Sequence, residues 1–121
     1  MRAFVISIVL FGILCAAIAA NFMYINDTAD ELRNMAERLD IDDERSDTVI
    51  ESIEKKWKKC EKIFSLSVSY KELDFFGETL ISLREAYKSG EKFEFERHKA
   101  LLLDAIDGMS RLERFSVANI F

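Results

Sequence analysis

Ala3–Ala20, AFVISIVLFGILCAAIAA, is an uncharged apolar run at the head of the chain, and it decides how everything after it is read. In helical form, eighteen residues at about 1.5 Å each reach roughly 27 Å, close to the hydrocarbon thickness of a bilayer. Phe22, Met23, Tyr24 and Ile25 prolong the run past Asn21, and Tyr24 falls where an interfacial aromatic ring belongs. Residues 1–25 are therefore expected to form a transmembrane anchor and residues 26–121 a helical domain attached to it. The competing reading is a cleaved signal peptide, with Ala17 and Ala19 as the small residues before the cut. Its charged region would be only Met1-Arg2, its apolar region exceeds the usual span of about 7–15 residues, and cleavage would strand Phe22–Ile25 as a greasy stub. A lipoprotein signal is disfavoured because bulky Leu14 precedes Cys15. Arg2 on one side and Arg33 and Arg38 on the other nearly balance the basic-residue rule for orientation. The ordinary signal-anchor form gives a single-pass protein of the cell membrane with its domain outside the cytoplasm.

All 22 acidic residues and 16 of the 17 basic ones follow residue 25, leaving a net charge of −6 there. That length supports one small domain with one core. Half the chain is apolar, which argues against disorder, and the acidic balance argues against nucleic acid as a partner. Two cysteines, one of them within the apolar run, make no disulfide framework.

The fold class that follows is all-α: the anchor, then an antiparallel bundle of three or four helices. Asn26, Asp27 and Thr28 suit an N-cap, although nothing forces a break from the apolar run, and Leu32, Met35, Ala36 and Leu39 recur at helical spacing. The acidic stretch Asp40–Asp47 reads as a turn. Asp40, Asp42, Glu44 and Glu51 fall at positions one, three, five and twelve of a calcium loop, but Arg45 occupies the position that needs glycine. A second helix is expected from Ser46 or Thr48, with Thr48 and Glu51 as a capping box. Its seam is Ile50, Ile53, Trp57, Cys60 and Phe64, continuing to Ser67. Ser69-Tyr70-Lys71-Glu72 is a capping box opening a third helix, whose stripe is Leu73, Phe76, Leu80, Leu83 and Tyr87 and whose end is Gly90. The last helix is expected over about Glu91–Arg114, with Phe95, His98, Leu102, Ala105, Met109 and Leu112 facing inward, widened by Leu101 and Ile106. Gly77 and Gly108 inside helices suggest close helix–helix approach. The apolar tail Ser116–Phe121 is expected to pack back on the domain.

Lys55, Lys56, Lys58, Lys59 and Lys62 crowd around Trp57. They read first as a solvated face near a helix C-terminus. If the first helix leaves the membrane and the second returns, the same lysines descend toward lipid headgroups. Catalytic chemistry is thinly supplied. His98, the sole histidine, lies on an apolar stripe and reads as a core residue with one ring nitrogen satisfied. No phosphate loop, nucleophile elbow, His-Glu-x-x-His or Cys-x-x-Cys occurs, and zinc lacks ligands, so no cofactor, metal or enzymatic activity is expected.

The leading apolar run, the isolated Trp57 on an amphipathic helix, the segment Ser69–Leu83 and the terminal Asn119-Ile120-Phe121 together resemble a bacterial family of short single-pass proteins, catalogued as a domain of unknown function. The resemblance spans nearly the whole chain. It implies a membrane-associated bacterial protein of spore-forming Gram-positive organisms and brings no activity with it. The expected function is a membrane-anchored, non-enzymatic helical module working through contacts with a membrane or envelope protein. Phe75, Phe93, Phe115 and Phe121 stray from the stripes and are candidate contact residues. Two other readings remain open: an extracytoplasmic small-molecule sensor with a pocket near Trp57 and His98, and a peripheral binder of anionic lipid headgroups through the lysine cluster.

Overall fold

A computed structural model describes the backbone of residues 1–66 and 68–120, and the side chains of that backbone as far as Met109. Among the described residues there are four helices and no strand: α1 (Arg2–Glu37), α2 (Arg45–Phe64), α3 (Tyr70–Ser89) and α4 (Lys92–Ile120). Expectations that rest on Ser67, on the side chains of Leu112 and Phe115, or on packing of the Ser116–Phe121 tail lie outside the described residues.

The 36-residue α1 joins the apolar run to the domain without a break. Asn26, Asp27 and Thr28 do not cap a new helix; they lie within this one. The chain has no proline to interrupt it, and Ile25, Thr28 and Ala29 are already buried, so packing overrides their capping tendency. The buried stripe starts at Ile25 and continues through Ala29, Leu32, Ala36 and Leu39 in alternating steps of four and three residues.

The turn after α1 is held by its own acids and by Ser46. Asp40 Oδ1 accepts the Asp42 amide at 3.0 Å, and Asp43 Oδ1 accepts the Arg45 amide at 2.9 Å. Ser46 Oγ donates to the Asp40 carbonyl at 2.8 Å and accepts the Asp40 amide at 2.9 Å. Because Asp43 captures the first amide, α2 starts at Arg45, one residue before Ser46 and ahead of the alternative start at Thr48. Thr48 lies inside the helix, its carbonyl accepting the Ser52 hydroxyl at 3.0 Å. Ile50, Ile53, Trp57, Cys60 and Phe64 are all buried on one face of α2, as their spacing predicts.

Ser69 caps α3, its hydroxyl accepting the Glu72 amide at 3.4 Å. At the other end Gly90 takes φ 70°, and the Glu91 amide reaches the Ala86 carbonyl at 3.1 Å. A left-handed residue with this return bond is how a glycine closes a helix. From Lys92, α4 runs to Ile120, past the expected stop near Arg114, with neither glycine nor proline after Gly108 to end it.

Backbone contacts join α1 to α2 and α4, and α3 to α2 and α4, while the diagonal pairs α1/α3 and α2/α4 do not meet among the described residues. Tyr24 against Phe64 and Glu31 against Lys56 set α1 and α2 antiparallel. Arg33 with Asp107, and Leu39 with Lys99, do the same for α1 and α4. The end farthest from the apolar run is pinned by two polar ties: Tyr87 Oη donates to the Asp43 carbonyl at 2.9 Å, and Lys99 Nζ to the Leu39 carbonyl at 2.8 Å. Trp57 sits at the centre, with ring centroids 4.2 Å from Phe76 and 6.0 Å from Phe64.

Candidate functional site

Two features compete as the functional surface: the groove beside Trp57, and the end of the domain next to the apolar run. The groove encloses about 440 Å³ between α2 and α3, lined by Trp57, Lys62, Tyr70, Leu73, Gly77 and Ile81 among others. Gly77, on its lining, presents no side chain toward the indole. A Cβ there would stand 4.0 Å from Trp57 Nε1, so the glycine leaves space and does not mark a tight helix crossing. The close approach expected at Gly77 is thus not what the structure shows. At Gly108 the approach is tighter, a Cβ meeting Glu72 Oε2 at 3.3 Å.

His98 is not part of that groove. Its ring is mostly buried on α4, with Nδ1 donating to the Glu94 carbonyl at 2.7 Å and lying 3.7 Å from the Glu94 carboxylate. One satisfied nitrogen within its own helix is the arrangement of a packed histidine, and no partner nucleophile stands against it among the described residues. The two residues expected to share a pocket, Trp57 and His98, are therefore not brought together on its lining. Nor do the described residues place three metal-ligating side chains together. Cys60 donates weakly to the Trp57 carbonyl at 3.6 Å, and burial pushes its thiol up to about 11, which removes the thiolate needed for reactivity at neutral pH.

The five lysines divide into two groups. Lys55 pairs with Glu51 at 3.4 Å one turn back, and Lys56 pairs with Glu31 across to α1. Exposed Lys58, Lys59 and Lys62 make no ion pair among the described residues. Phe75 and Phe93 are exposed, in keeping with their position off the stripes. Spacing along the helices gave no sign of a further exposed set, Ile63, Leu66 and Tyr70, around the connection between α2 and α3. The signal lay in the turn itself, where Leu66 and Tyr70 flank a helix boundary that polar residues ordinarily occupy.

The apolar run is bare. Phe4, Val5, Ile6, Ile8, Val9, Leu10, Phe11, Ile13 and Leu14 are each more than half exposed, and none of the run's most apolar window is buried by the rest of the chain. By length and composition α1 is one helix able to cross a membrane. The molecule is thus an all-helical protein whose long first helix carries a candidate span. Comparison with family models, with curated proteins and with solved structures finds no match to this chain.

Proposed function

We propose that the chain is a single-pass membrane protein whose four helices pack as an antiparallel bundle beyond the lipid, and that it works through protein contacts without catalysis. The observation that carries this reading is the continuity of α1, which is bare through the apolar run and buried from Ile25 onward in one unbroken helix. Leaving nine large apolar side chains in water forfeits about 1.5–3 kcal/mol apiece, together about 14–27 kcal/mol, as large as the roughly 5–15 kcal/mol by which a domain is stable or larger. A bilayer removes that cost. Membership of the short single-pass family, a bacterial source and an extracytoplasmic domain belong to the same proposal. The contact residues are the exposed apolar ones on the domain, with Phe93 and Ile81 foremost.

The test is photo-crosslinking in intact membranes from probes at Ile81 and Phe93, with alkaline extraction in parallel. Retention in the membrane pellet with the first residues intact, and a discrete adduct from one face only, is the expected result. A chain released by carbonate with its leading run removed would end the proposal. A second reading, binding of a small molecule, is favoured by the groove, whose volume reaches the range of ligand sites, about 300–1,000 Å³. Since Trp57 lines it and is the sole tryptophan, a shift in emission on titration with a compound library would select that reading.

A further inference from the structure

We infer that the connection between α2 and α3 is a second membrane contact, in which Leu66, flanked by Ile63 and Tyr70, enters the interfacial layer beside the point where α1 leaves the lipid. This rests on the anchor reading above and adds to it a fixed posture of the domain on the bilayer.

Register supplies the first argument. Lys56 lies against Glu31, and Phe64 packs edge-on against Tyr24 with ring centroids 6.5 Å apart, so α2 descends α1 nearly residue for residue. Leu66, two residues beyond Phe64, therefore falls level with Phe22, inside the apolar stretch that ends at Ile25. At about 1.5 Å per residue it lies roughly 3 Å deeper than Tyr24, within the 5–10 Å layer that interfacial apolar groups occupy. A span that places Tyr24 at the interface brings Leu66 to the lipid with no further movement.

Exposure supplies the second. Leu66 is 80% exposed and Tyr70 79%, with Ile63 at 38%, although Phe64 and Val68 between them are buried. These three side chains are not turned outward for want of a core, because the core is filled by their neighbours. A leucine and a tyrosine together at a tight connection are the residues an interface takes up, the ring with its hydroxyl at headgroup level. The opposite end of the domain is built differently, with carboxylates capping backbone amides and the Tyr87 and Lys99 ties closing it.

Charge supplies the third. Lys62 lies at the level of Ile25 and Asn26 in the same register, with Lys59 and Lys58 one turn higher, and none of the three makes an ion pair among the described residues. Lysines immediately above an inserted apolar turn meet anionic headgroups, whereas the two lysines farther up, Lys55 and Lys56, are engaged by Glu51 and Glu31. The occupant that fits an apolar tip crowned by unpaired cations, continuous with a spanning helix, is a bilayer containing anionic lipid.

The experiment places an environment-sensitive fluorophore on single cysteines at Leu66, Phe93 and Ile8 of the full chain, with Cys15→Ala and Cys60→Ala, in vesicles of phosphatidylcholine and phosphatidylglycerol. Quenching is read from lipids carrying nitroxide near the headgroup or deep in the acyl chain. Leu66 and Phe93 are exposed, so their labels leave the fold undisturbed, and Trp57 emission verifies this. The expected result is deep quenching at Ile8, at least twofold shallow quenching with blue-shifted emission at Leu66, and water-like emission at Phe93. Ile8 quenched with Leu66 water-like overturns the second contact and leaves the anchor standing. A blue shift at Leu66 without lipid quenching means that protein covers the turn, and also overturns it. An unquenched Ile8 removes the anchor and the inference together.

Discussion

Three glycines outside the apolar run sit in three different environments, and replacing each by alanine should give three different results. Gly77 is inside α3, where glycine costs about 0.8–1 kcal/mol relative to alanine. The new methyl would meet nothing nearer than Trp57 Nε1 at 4.0 Å, an ordinary contact. Gly77→Ala should therefore stabilise by about 1 kcal/mol, which for a domain of this size raises the midpoint by about 4–8 °C. Gly108→Ala regains the same propensity but meets Glu72 Oε2 at 3.3 Å, the mobile end of a side chain that must give way, so the gain falls to about 0.5 kcal/mol. Gly90→Ala has open space around it, yet its φ of 70° is left-handed, and alanine there should destabilise by about 1–2 kcal/mol. Thermal unfolding of the full chain in mild detergent, followed by emission of the single Trp57, reads the domain without interference from the apolar run. A lowered midpoint for Gly77→Ala would refute the reasoning, because it would mean that α2 and α3 touch at that glycine.

Other outcomes follow from the same packing. Trp57→Ala should cost about 3–5 kcal/mol, a large part of any small domain's stability, and urea titration followed by circular dichroism measures it. Cys60, with its thiol raised to about 11 by burial, should react with maleimide at neutral pH only at the rate of domain opening, so alkylation should quicken in step with added urea. Asp43 is held below the ordinary carboxylate value of 3.8, first by the Arg45 amide and then by the Arg45 side chain. A folded value lower than the unfolded one means that its contribution is complete above 3.8 and is lost as pH falls through the folded value. The acid limb of the stability profile should therefore flatten in Asp43→Asn, as urea midpoints at successive pH values from 6 down to about 2 would record.

Much of the helical architecture is legible in the sequence because its signals are local. The α2 seam from Ile50 to Phe64 and the α3 stripe from Leu73 to Leu83 are buried where three/four spacing puts them, and Ser69 and Gly90 bound α3 as their chemistry dictates. The failures have a common cause, which is that a local preference yields to a neighbour. Thr48 and Glu51 form a plausible box in isolation, yet Asp43 takes the first amide before them. Asn26 to Thr28 could cap a helix, yet burial beside Ile25 keeps α1 running through them. Gly77 suggests a crossing by analogy with other helices, whereas here it lines a groove beside an indole. Pairing of lysines with Glu31 and Glu51 depends partly on the register of two helices, which no single segment encodes. The exposed Leu66 and Tyr70 carry meaning only once the turn is known to lie level with the end of the apolar run.

If α1 spans a bilayer as proposed, its continuity also makes the domain a lever. The 36-residue helix is about 54 Å long, and neither proline nor glycine separates the candidate span from the part that carries α2 and α4. A thinner bilayer that tilts such a helix by about 20° would swing its far end at Glu37, roughly 18 Å above Ile25, sideways by about 6 Å, and the attached helices with it. In the proposed anchored form, thickness of the surrounding lipid would thereby become a quantity that the outer tip of the protein reports by position.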